Sequence, residues 1–418
     1  MDFNDTPEEA AFRDEARTWL DANATLKAPG ERAFNLSDNR GDEGTVKRAQ
    51  TWQARKADAG WACITWPKAY GGRDATPIQN VIWNQEEARY SVPPNIFTIG
   101  QGMLGPTIMT HGTDAQKERY IEKMLRGEEI WCQLFSEPSA GSDLAGLRTR
   151  AEKDEATGEW VIDGQKIWTS GAHYCKWGMI VTRTDPNAAK HAGITYFIVD
   201  MESPGIEIRP IKQINGATNF NEVFFTGVRV PDENRVGGVN DGWRGAITTL
   251  MNERSAIGGG GAGGPTYDDL LRLAQRLEID GRPAIENSAV RQRLADFYTR
   301  TKGLQYTGYR TLTSLSRGET PGPQSSLGKL VGAPMRQQMA AFALELQAQC
   351  GGVLDPSLCE DEAAWQNAYL GAPGGRLAGG TDEVLRNIIA ERVLGLPPEA
   401  RVDKGLAFSE IPTGPSKG

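Results

Sequence analysis

The spacing of apolar side chains divides the chain into three parts. In residues 1–130 apolar positions recur at three- and four-residue intervals, which is typical of amphipathic helices. Thr6 and Glu9 have the spacing of a capping box at the start of one such helix, and Thr113 and Gln116 repeat it. The apolar stripe of the first helix comprises Phe12, Ala16, Trp19 and Leu20. The pattern predicts an N-terminal helical domain over residues 1–130.

The apolar pattern changes between residues 131 and 236. Strand-length apolar runs, separated by Gly, Pro and Asn, replace the helical spacing. Asp163 and Gly164 lie between two further apolar runs and predict a two-residue hairpin turn. Because no helical segment connects the runs, we expect an antiparallel sandwich or barrel rather than a parallel sheet.

Helical spacing returns at about residue 237, which predicts a C-terminal helical bundle over residues 237–397. Residues 398–418 are rich in Pro, Gly and charged side chains and are expected to form a surface tail. The predicted fold is therefore α+β: a helical domain, a middle β-sandwich or barrel domain, a helical bundle and a tail.

Composition narrows the class of protein. The chain has 418 residues, a formal net charge of −8 and 39% hydrophobic residues, which describes a folded protein with two or three domains. The acidic balance argues against nucleic acid as a partner, and no apolar run approaches the roughly 20 residues of a membrane span. Five scattered cysteines and an acidic start predict reduced thiols in a cytoplasmic protein.

The sequence lacks a metal-binding pattern and carries only an incomplete phosphate-binding loop. His111, His173 and His191 have no metal-ligand spacing, so no metal site is expected. Residues 322–329 resemble a phosphate-binding loop. Their spacing is one residue too long, and Leu330 stands where Ser or Thr would hold magnesium.

Two motifs carry candidate chemistry. Residues 131–142 read W-C-Q-L-F-S-E-P-S-A-G-S, and residues 166–171 read K-I-W-T-S-G. The small residues at 139–142 let a flat polar ligand approach the backbone, and Trp168 offers a ring face beside two hydroxyl groups. A packed loop and strand could show the same residue types.

These motifs resemble those of the acyl-CoA dehydrogenase family of flavoproteins. Further similarity lies in residues 193–231, 250–254 and 380–396, and the resemblance extends over almost the whole chain. It implies the same order of helical, β and helical domains, with FAD bound between the last two. The implied FAD contacts are Leu134, Phe135, Ser136, Gly141, Ser142, Trp168, Thr169, Ser170, Thr381 and Glu383, with Gly351 and Gly352 reaching the FAD of a neighbouring subunit. Ser142 is also implied to meet the CoA phosphates of the substrate.

The position of the catalytic base departs from the commonest family pattern. Gly379 stands where most members carry a glutamate. The run L-M-N-E-R at 250–254 instead matches members such as isovaleryl-CoA dehydrogenase, whose base lies on this earlier helix. The resemblance therefore implies that Glu253 is the base and that the Gly379 N–H binds the thioester oxygen. Arg254 is then expected to anchor structure or CoA, whereas a helical glutamate taken alone is usually solvated.

Other departures concern the FAD adenine half and the acyl pocket. No R-x-T-F-G segment lies between residues 270 and 291, where Arg276 and Arg282 are weak substitutes. The run Gly258 to Gly264, broken only by Ala262, predicts either a widened acyl pocket or a glycine-rich loop.

The implied activity is FAD-dependent α,β-dehydrogenation of an acyl-CoA thioester, with a bulky or branched acyl group and an electron-transfer flavoprotein as electron acceptor. The expected assembly is a homo-oligomer, a dimer of dimers. Two alternatives stay open. One is a flavin-poor, non-catalytic partner subunit of a hetero-oligomeric dehydrogenase, and the other is an oxidase or flavin monooxygenase on the same fold.

Overall fold

The computed structural model describes residues 5–28, 41–258, 264–317, 322–401 and 403–411. The N-terminal part is helical, with a short β1–β2 ladder joining two of its connections. No helix in these described ranges is both long and apolar enough to cross a bilayer. The elements of this part are α1 (Pro7–Asn23), β1 (Thr25–Leu26), α2 (Glu43–Asp58), α3 (Pro77–Glu87), β2 (Tyr90–Ser91), α4 (Gly105–His111) and α5 (Asp114–Arg126).

Local sequence signals set the helix starts in this part. Both predicted capping boxes are confirmed. Thr6 accepts from the backbone N–H of Glu9 at the start of α1, and Thr113 does the same for Gln116 at the start of α5. A cluster of tryptophans fills the space among α1, α2 and α3, in which the rings of Trp61 and Trp83 stack at 4.7 Å.

The middle part is an eight-stranded sheet. Its strands are β3 (Trp131–Leu134), β4 (Arg150–Lys153), β5 (Trp160–Ser170), β6 (Trp177–Arg183), β7 (Ile194–Asp200), β8 (Ile206–Ile211), β9 (Phe220–Val230) and β10 (Arg235–Val236). Their order is β10-β7-β6-β4-β5-β9-β8, and β3 pairs with β6. The pairs are antiparallel except for β3 and β4 against β6, so the predicted middle β domain is confirmed.

The predicted hairpin at Asp163 and Gly164 is wrong, because β5 runs through both residues. Here the β5–β9 pairing shifts register, and the Asp163 carboxylate accepts from the backbone N–H of Gly227 on β9. Gly164 has φ +150°, and a Cβ there would lie 2.5 Å from the Thr149 hydroxyl. The glycine therefore allows two backbone segments to approach closely and does not form a turn.

The two faces of the sheet enter different cores. Met179 and Val181 of β6 pack with N-terminal helices and with Ala246, whereas Ile180 packs with Phe197 in a second core formed mainly by sheet residues. The helical and sheet domains therefore share one continuous apolar core at their junction.

The C-terminal part is the predicted helical bundle, with its own core around Leu273, Phe297, Phe342 and Trp365. Its first helix, α6, also contributes Ala246 to the core shared with the sheet, which places α6 at the junction of all three parts. The elements are α6 (Gly242–Gly258), α7 (Tyr267–Arg276), β11 (Glu278–Ile279), β12 (Arg282–Pro283), α8 (Ser288–Ser316), α9 (Ser326–Leu346), α10 (Ala364–Leu377) and α11 (Asp382–Arg392).

The described end of the chain is held against the sheet domain. The Phe408 N–H donates to the Ala188 carbonyl at 2.9 Å, and the Ser409 N–H donates to the Pro186 carbonyl at 2.8 Å. The Phe408 ring also lies 3.8 Å from the Arg183 guanidinium. Composition predicted a surface tail and contained no sign of this docking.

Candidate active site

A buried ion pair joins the two sequence motifs. Lys166 Nζ lies 2.8 Å from a Glu137 carboxylate oxygen, and the two side chains are 0% and 5% exposed. Lys166 also donates to the Phe135 carbonyl at 3.1 Å, and the Ile167 N–H donates to the Ser136 carbonyl at 2.9 Å. The loop after β3 is therefore pinned against β5, next to Trp168.

Glu137 is held in its charged form. Burial alone would raise the pKa of this carboxyl, but the Lys166 ammonium and hydrogen bonds from Thr149 and Arg148 hold it below its ordinary value. The backbone N–H groups of Arg148 and Thr149 lie 2.6 and 2.9 Å from its two oxygens. Because the buried Glu137 carboxylate has this many hydrogen-bond partners, it holds the loop after β3 rigidly in place.

A backbone irregularity presents Trp168 to the surface. The β5–β9 register shifts between Lys166 and Thr169, and Trp168 has φ +60°, an uncommon conformation for a bulky residue. The residue is 55% exposed, and its ring meets the Phe220 ring edge-on. Strained residues of this kind cluster at ligand sites.

The surroundings of Trp168 fit a planar polar cofactor. Thr169 is buried, and its hydroxyl has no hydrogen-bond partner among the residues that the structure describes. Ser170 and Ser136 are half-buried on the same pair of segments. An exposed ring face beside an unsatisfied hydroxyl suits the isoalloxazine ring of a flavin, which offers both a flat surface and polar edges.

The small-residue turn leaves open space for a ligand. Glu137 and Ala140 exchange two backbone hydrogen bonds, which closes a tight turn. Gly141 and Ser142 follow it on the surface, and a Cβ on Gly141 would meet nothing within 4 Å. Leu134 and Phe135 are buried, so contacts from them to a ligand would come from the backbone.

Glu253 lies close to Gly379, the other residue that is predicted to take part in catalysis. Its Oε1 atom is 3.6 Å from the place that a Cβ on Gly379 would occupy. Gln133 Nε2 donates to its Oε2 atom at 3.3 Å, and Gln133 belongs to β3, directly before the flavin motif's Leu134. Glu253 therefore lies between the Gly379 loop and the first strand of the motif at residues 131–142.

The Gly379 loop is clamped from a neighbouring helix. Gly379 and Gly380 lie between α10 and α11 with φ +65° and +99°, conformations that favour glycine. Lys329 of α9 donates hydrogen bonds to the carbonyls of Ala378 and Gly380, on both sides of Gly379. Burial lowers the pKa of Lys329, although nearby Asp382 and Glu253 favour its charged form.

Buried hydroxyl groups position α6 beneath Glu253. Thr249, one turn before Glu253, lies 2.8 Å from the Thr107 hydroxyl of α4 and 3.2 Å from the Tyr196 hydroxyl of β7. Burial raises the pKa of Tyr196, so it stays a neutral hydrogen-bonding group. This contact set ties α6 to both other domains.

The remaining predicted residues serve visible structural roles. Thr381 caps α11 by accepting from the Val384 N–H, while Glu383 is exposed near Arg386. Gly351 is buried and close to α9, since a Cβ there would lie 2.3 Å from the Leu344 carbonyl oxygen, whereas a Cβ on Gly352 would meet open space. The cofactor roles of these four residues stay predictions.

Two predictions fall outside what the structure describes. The side chain of Arg254 and residues 259–263 of the glycine-rich run are not among the described parts. Arg276, one of the two weak substitutes for an FAD-binding arginine, is engaged by Asp361 at 2.8 Å.

Sequence reasoning missed two residues of this site. Gln133 stands between the buried Cys132 and Leu134 and was visible only as a polar position in an apolar strand. Lys329 is the last residue of the incomplete phosphate loop at residues 322–329. Nothing in the sequence indicated that it contacts the Gly379 loop.

Comparisons with known proteins agree over most of the chain. Family models match in chain order: the acyl-CoA dehydrogenase N-terminal domain over residues 6–128, the middle domain over 132–228 and the C-terminal domain over 240–394. The acyl-CoA dehydrogenase IpdE1 of Mycolicibacterium smegmatis is 38% identical over 93% of this chain and 98% of its own length. The acyl-CoA dehydrogenase FadE34 of Mycobacterium tuberculosis is 44% identical over 82% of this chain, which spans only 46% of FadE34.

Solved structures agree with the fold. The steroid ACAD Tcur3481-Tcur3483 has a TM-score of 0.79 and 27% identity, covering 96% of this chain and 100% of its own. The ChsE4-ChsE5 complex from Mycobacterium tuberculosis has a TM-score of 0.76 and 26% identity, with the same coverage. With all three family domains in order and relatives above 30% identity over most of its length, this chain belongs to the acyl-CoA dehydrogenase family of oxidoreductases.

Proposed function

We propose that this protein catalyses FAD-dependent α,β-dehydrogenation of an acyl-CoA thioester, with Glu253 as the catalytic base. The observation that carries the proposal is the position of Glu253 beside Gly379: its Oε1 atom lies 3.6 Å from the place that a Cβ on Gly379 would occupy, and its Oε2 atom accepts from Gln133. A carboxylate, a backbone N–H and a ligand-ready flavin segment are the groups that this reaction needs.

Each residue has a defined task. Glu253 removes the proton from the α-carbon, and the Gly379 N–H donates to the thioester oxygen as negative charge develops there. Gln133 orients the carboxylate by donating to Oε2. Lys329 holds the Gly379 loop so that the N–H is in place before the substrate arrives.

Ser136, Trp168, Thr169 and Ser170 are the proposed flavin contacts, with Leu134 and Phe135 contributing backbone groups. Bound FAD supplies the acceptor for the β-hydride. Gly141 and Ser142 are proposed to lie near the ribityl chain and the CoA phosphates, and Thr381 and Glu383 near the nucleotide half. Gly351 and Gly352 are proposed to contact FAD in a neighbouring subunit. The proposed assembly is a homo-oligomeric dimer of dimers, in a cytoplasmic setting.

We propose a bulky or branched acyl group, with an electron-transfer flavoprotein as the acceptor. The missing side chain at Gly379 enlarges the space beside Glu253. The structural neighbour Tcur3481-Tcur3483 is a steroid ACAD, and this likeness supports a large acyl group. Family membership supports the electron acceptor.

A second candidate function is a subunit of a hetero-oligomeric dehydrogenase. Two structural neighbours, Tcur3481-Tcur3483 and the ChsE4-ChsE5 complex, are each named as a pair of proteins, which favours this candidate. Glu253 and the fit of the Trp168 segment to a flavin oppose a non-catalytic role. The visible spectrum of the protein purified alone, before and after adding FAD, separates the two: a colourless protein that binds no FAD indicates the partner subunit.

The test of the base is Glu253→Gln. The variant should keep its fold and FAD but lose flavin reduction about 10²- to 10⁴-fold, since a general base contributes on this scale. Stopped-flow bleaching of the flavin measures the loss, with substrate chosen from a panel of acyl-CoA esters and an artificial electron acceptor. Glu118→Gln, on the exposed side of α5, is the matched control. Near-normal reduction by Glu253→Gln would exclude Glu253.

A further inference from the structure

A cavity of about 200 Å³ lies where the end of the chain returns to the sheet domain. One wall comes from the β6–β7 connection and the other from the C-terminal segment. The charged or titratable lining residues are Lys190, His191, Arg401, Asp403 and Lys404.

The second wall is built into the fold. The Phe408 ring lies against two guanidinium groups, Arg183 at 3.8 Å and Arg148 at 5.5 Å. Arg183 is itself buried and donates to the carbonyls of Ala145 and Lys190. The segment that carries Lys404 is therefore anchored only a few residues away, and the cavity does not depend on a freely moving tail.

Positive charge exceeds negative charge in this cavity. Lys190 Nζ bridges Asp143 at 2.6 Å and Asp403 at 2.9 Å, and Arg401 lies 3.3 Å from the same Asp403 carboxylate. Two carboxylates therefore face three cations, counting the exposed Lys404. The pKa of His191 is lowered by burial and by the charges of Arg401 and Lys190, as expected in a positive field.

The cavity adjoins the loop proposed to meet the substrate's nucleotide. Asp143, which Lys190 contacts, directly follows Ser142. Coenzyme A carries a phosphate monoester on its ribose in addition to its diphosphate, and this group has nearly two negative charges at neutral pH. Arg and Lys are the side chains that bind such groups most strongly.

We propose that Arg401 and Lys404 of the C-terminal segment, together with Lys190, form a binding pocket for the ribose phosphate monoester of the CoA substrate. The proposal rests on the proposed function for the identity of the substrate. It gives the C-terminal segment a part in substrate binding, and it separates the site that recognises the nucleotide from the site where Glu253 acts.

The test is calorimetric titration of the purified holoprotein with CoA and with dephospho-CoA, which lacks only this phosphate. We expect CoA to bind about tenfold more tightly, the usual size of a charge-assisted hydrogen bond to a phosphate. Lys404→Gln and Arg401→Gln should each reduce this preference several-fold, and the double variant should abolish it, because the remaining Lys190 is neutralised by Asp143 and Asp403. Lys47→Gln, on the exposed face of α2, should keep the preference in full.

The outcomes of this titration test the phosphate pocket separately from the proposed dehydrogenase activity. Equal binding of CoA and dephospho-CoA by the unaltered protein overturns the pocket, as does a preference that survives in the double variant. Competition by inorganic phosphate without any preference for CoA indicates a free-phosphate site and also overturns the assignment. A preserved preference with no flavin reduction by any acyl-CoA would support the pocket while refuting the proposed function.

Discussion

Replacing Lys166 by methionine tests whether the buried ion pair supports the cofactor site. Methionine approximates the length of the lysine side chain, so the change removes the charge with little change in packing. It leaves the Glu137 carboxylate, 5% exposed, with two backbone N–H donors but without its ion-pair partner, and it leaves the Phe135 carbonyl without its donor from Lys166.

The expected cost is about 3–5 kcal/mol, because removing one partner of a buried ion pair leaves the other charge uncompensated. Glu137→Gln in the same background should recover part of this loss, since an amide oxygen still accepts from the Arg148 and Thr149 N–H groups without carrying a charge. The flavin should be retained less tightly in Lys166→Met, because the loop after β3 is no longer pinned to β5.

The assay is thermal unfolding of the holoprotein followed by tryptophan fluorescence, together with the flavin absorbance that survives gel filtration. For unfolding of the whole chain we expect a fall in the midpoint of about 3–6 °C. Lys153→Met, an exposed lysine on β4, is the matched control and should change stability by less than about 0.5 kcal/mol. A Lys166→Met protein as stable and as yellow as the control would refute the reasoning.

Two further changes test other contacts. Lys329→Met should lower kcat about tenfold with a smaller effect on KM, because the Gly379 N–H loses the clamp that orients it; equal changes in both constants would contradict a positioning role. Glu86 binds three arginines; although burial opposes it, their hydrogen bonds lower its pKa to about 2. This depressed pKa contributes stability above the unfolded value of roughly 4, and that stability should disappear between about pH 5 and pH 2. Glu86→Gln should flatten the acid limb of the melting temperature against pH, and an unchanged limb would exclude the Glu86–arginine cluster as its cause.

Local sequence patterns predicted most of the helices and strands and the residue types of the candidate site. The capping boxes at Thr6 and Thr113 act over three residues, so neighbouring side chains alone determine them. Family resemblance proposed the roles of the motif at residues 131–142 and of Glu253, because the residues concerned lie in short contiguous runs that can be compared directly. The order of helical, β and helical domains likewise followed from the period of the apolar positions.

Tertiary structure decided which distant residues meet. The Asp163–Gly164 pair is a strong local turn signal, but the long β5–β9 ladder outweighs it, since pairing and burial along a whole strand exceed one turn preference. Lys329 reaches the Gly379 loop and Gln133 reaches Glu253 only because separate elements pack side by side. The docking of Phe408 depends on two arginines of another domain. Sequence determines local conformation and chemical type, whereas contacts across the fold are selected by the packing free energy of the whole chain.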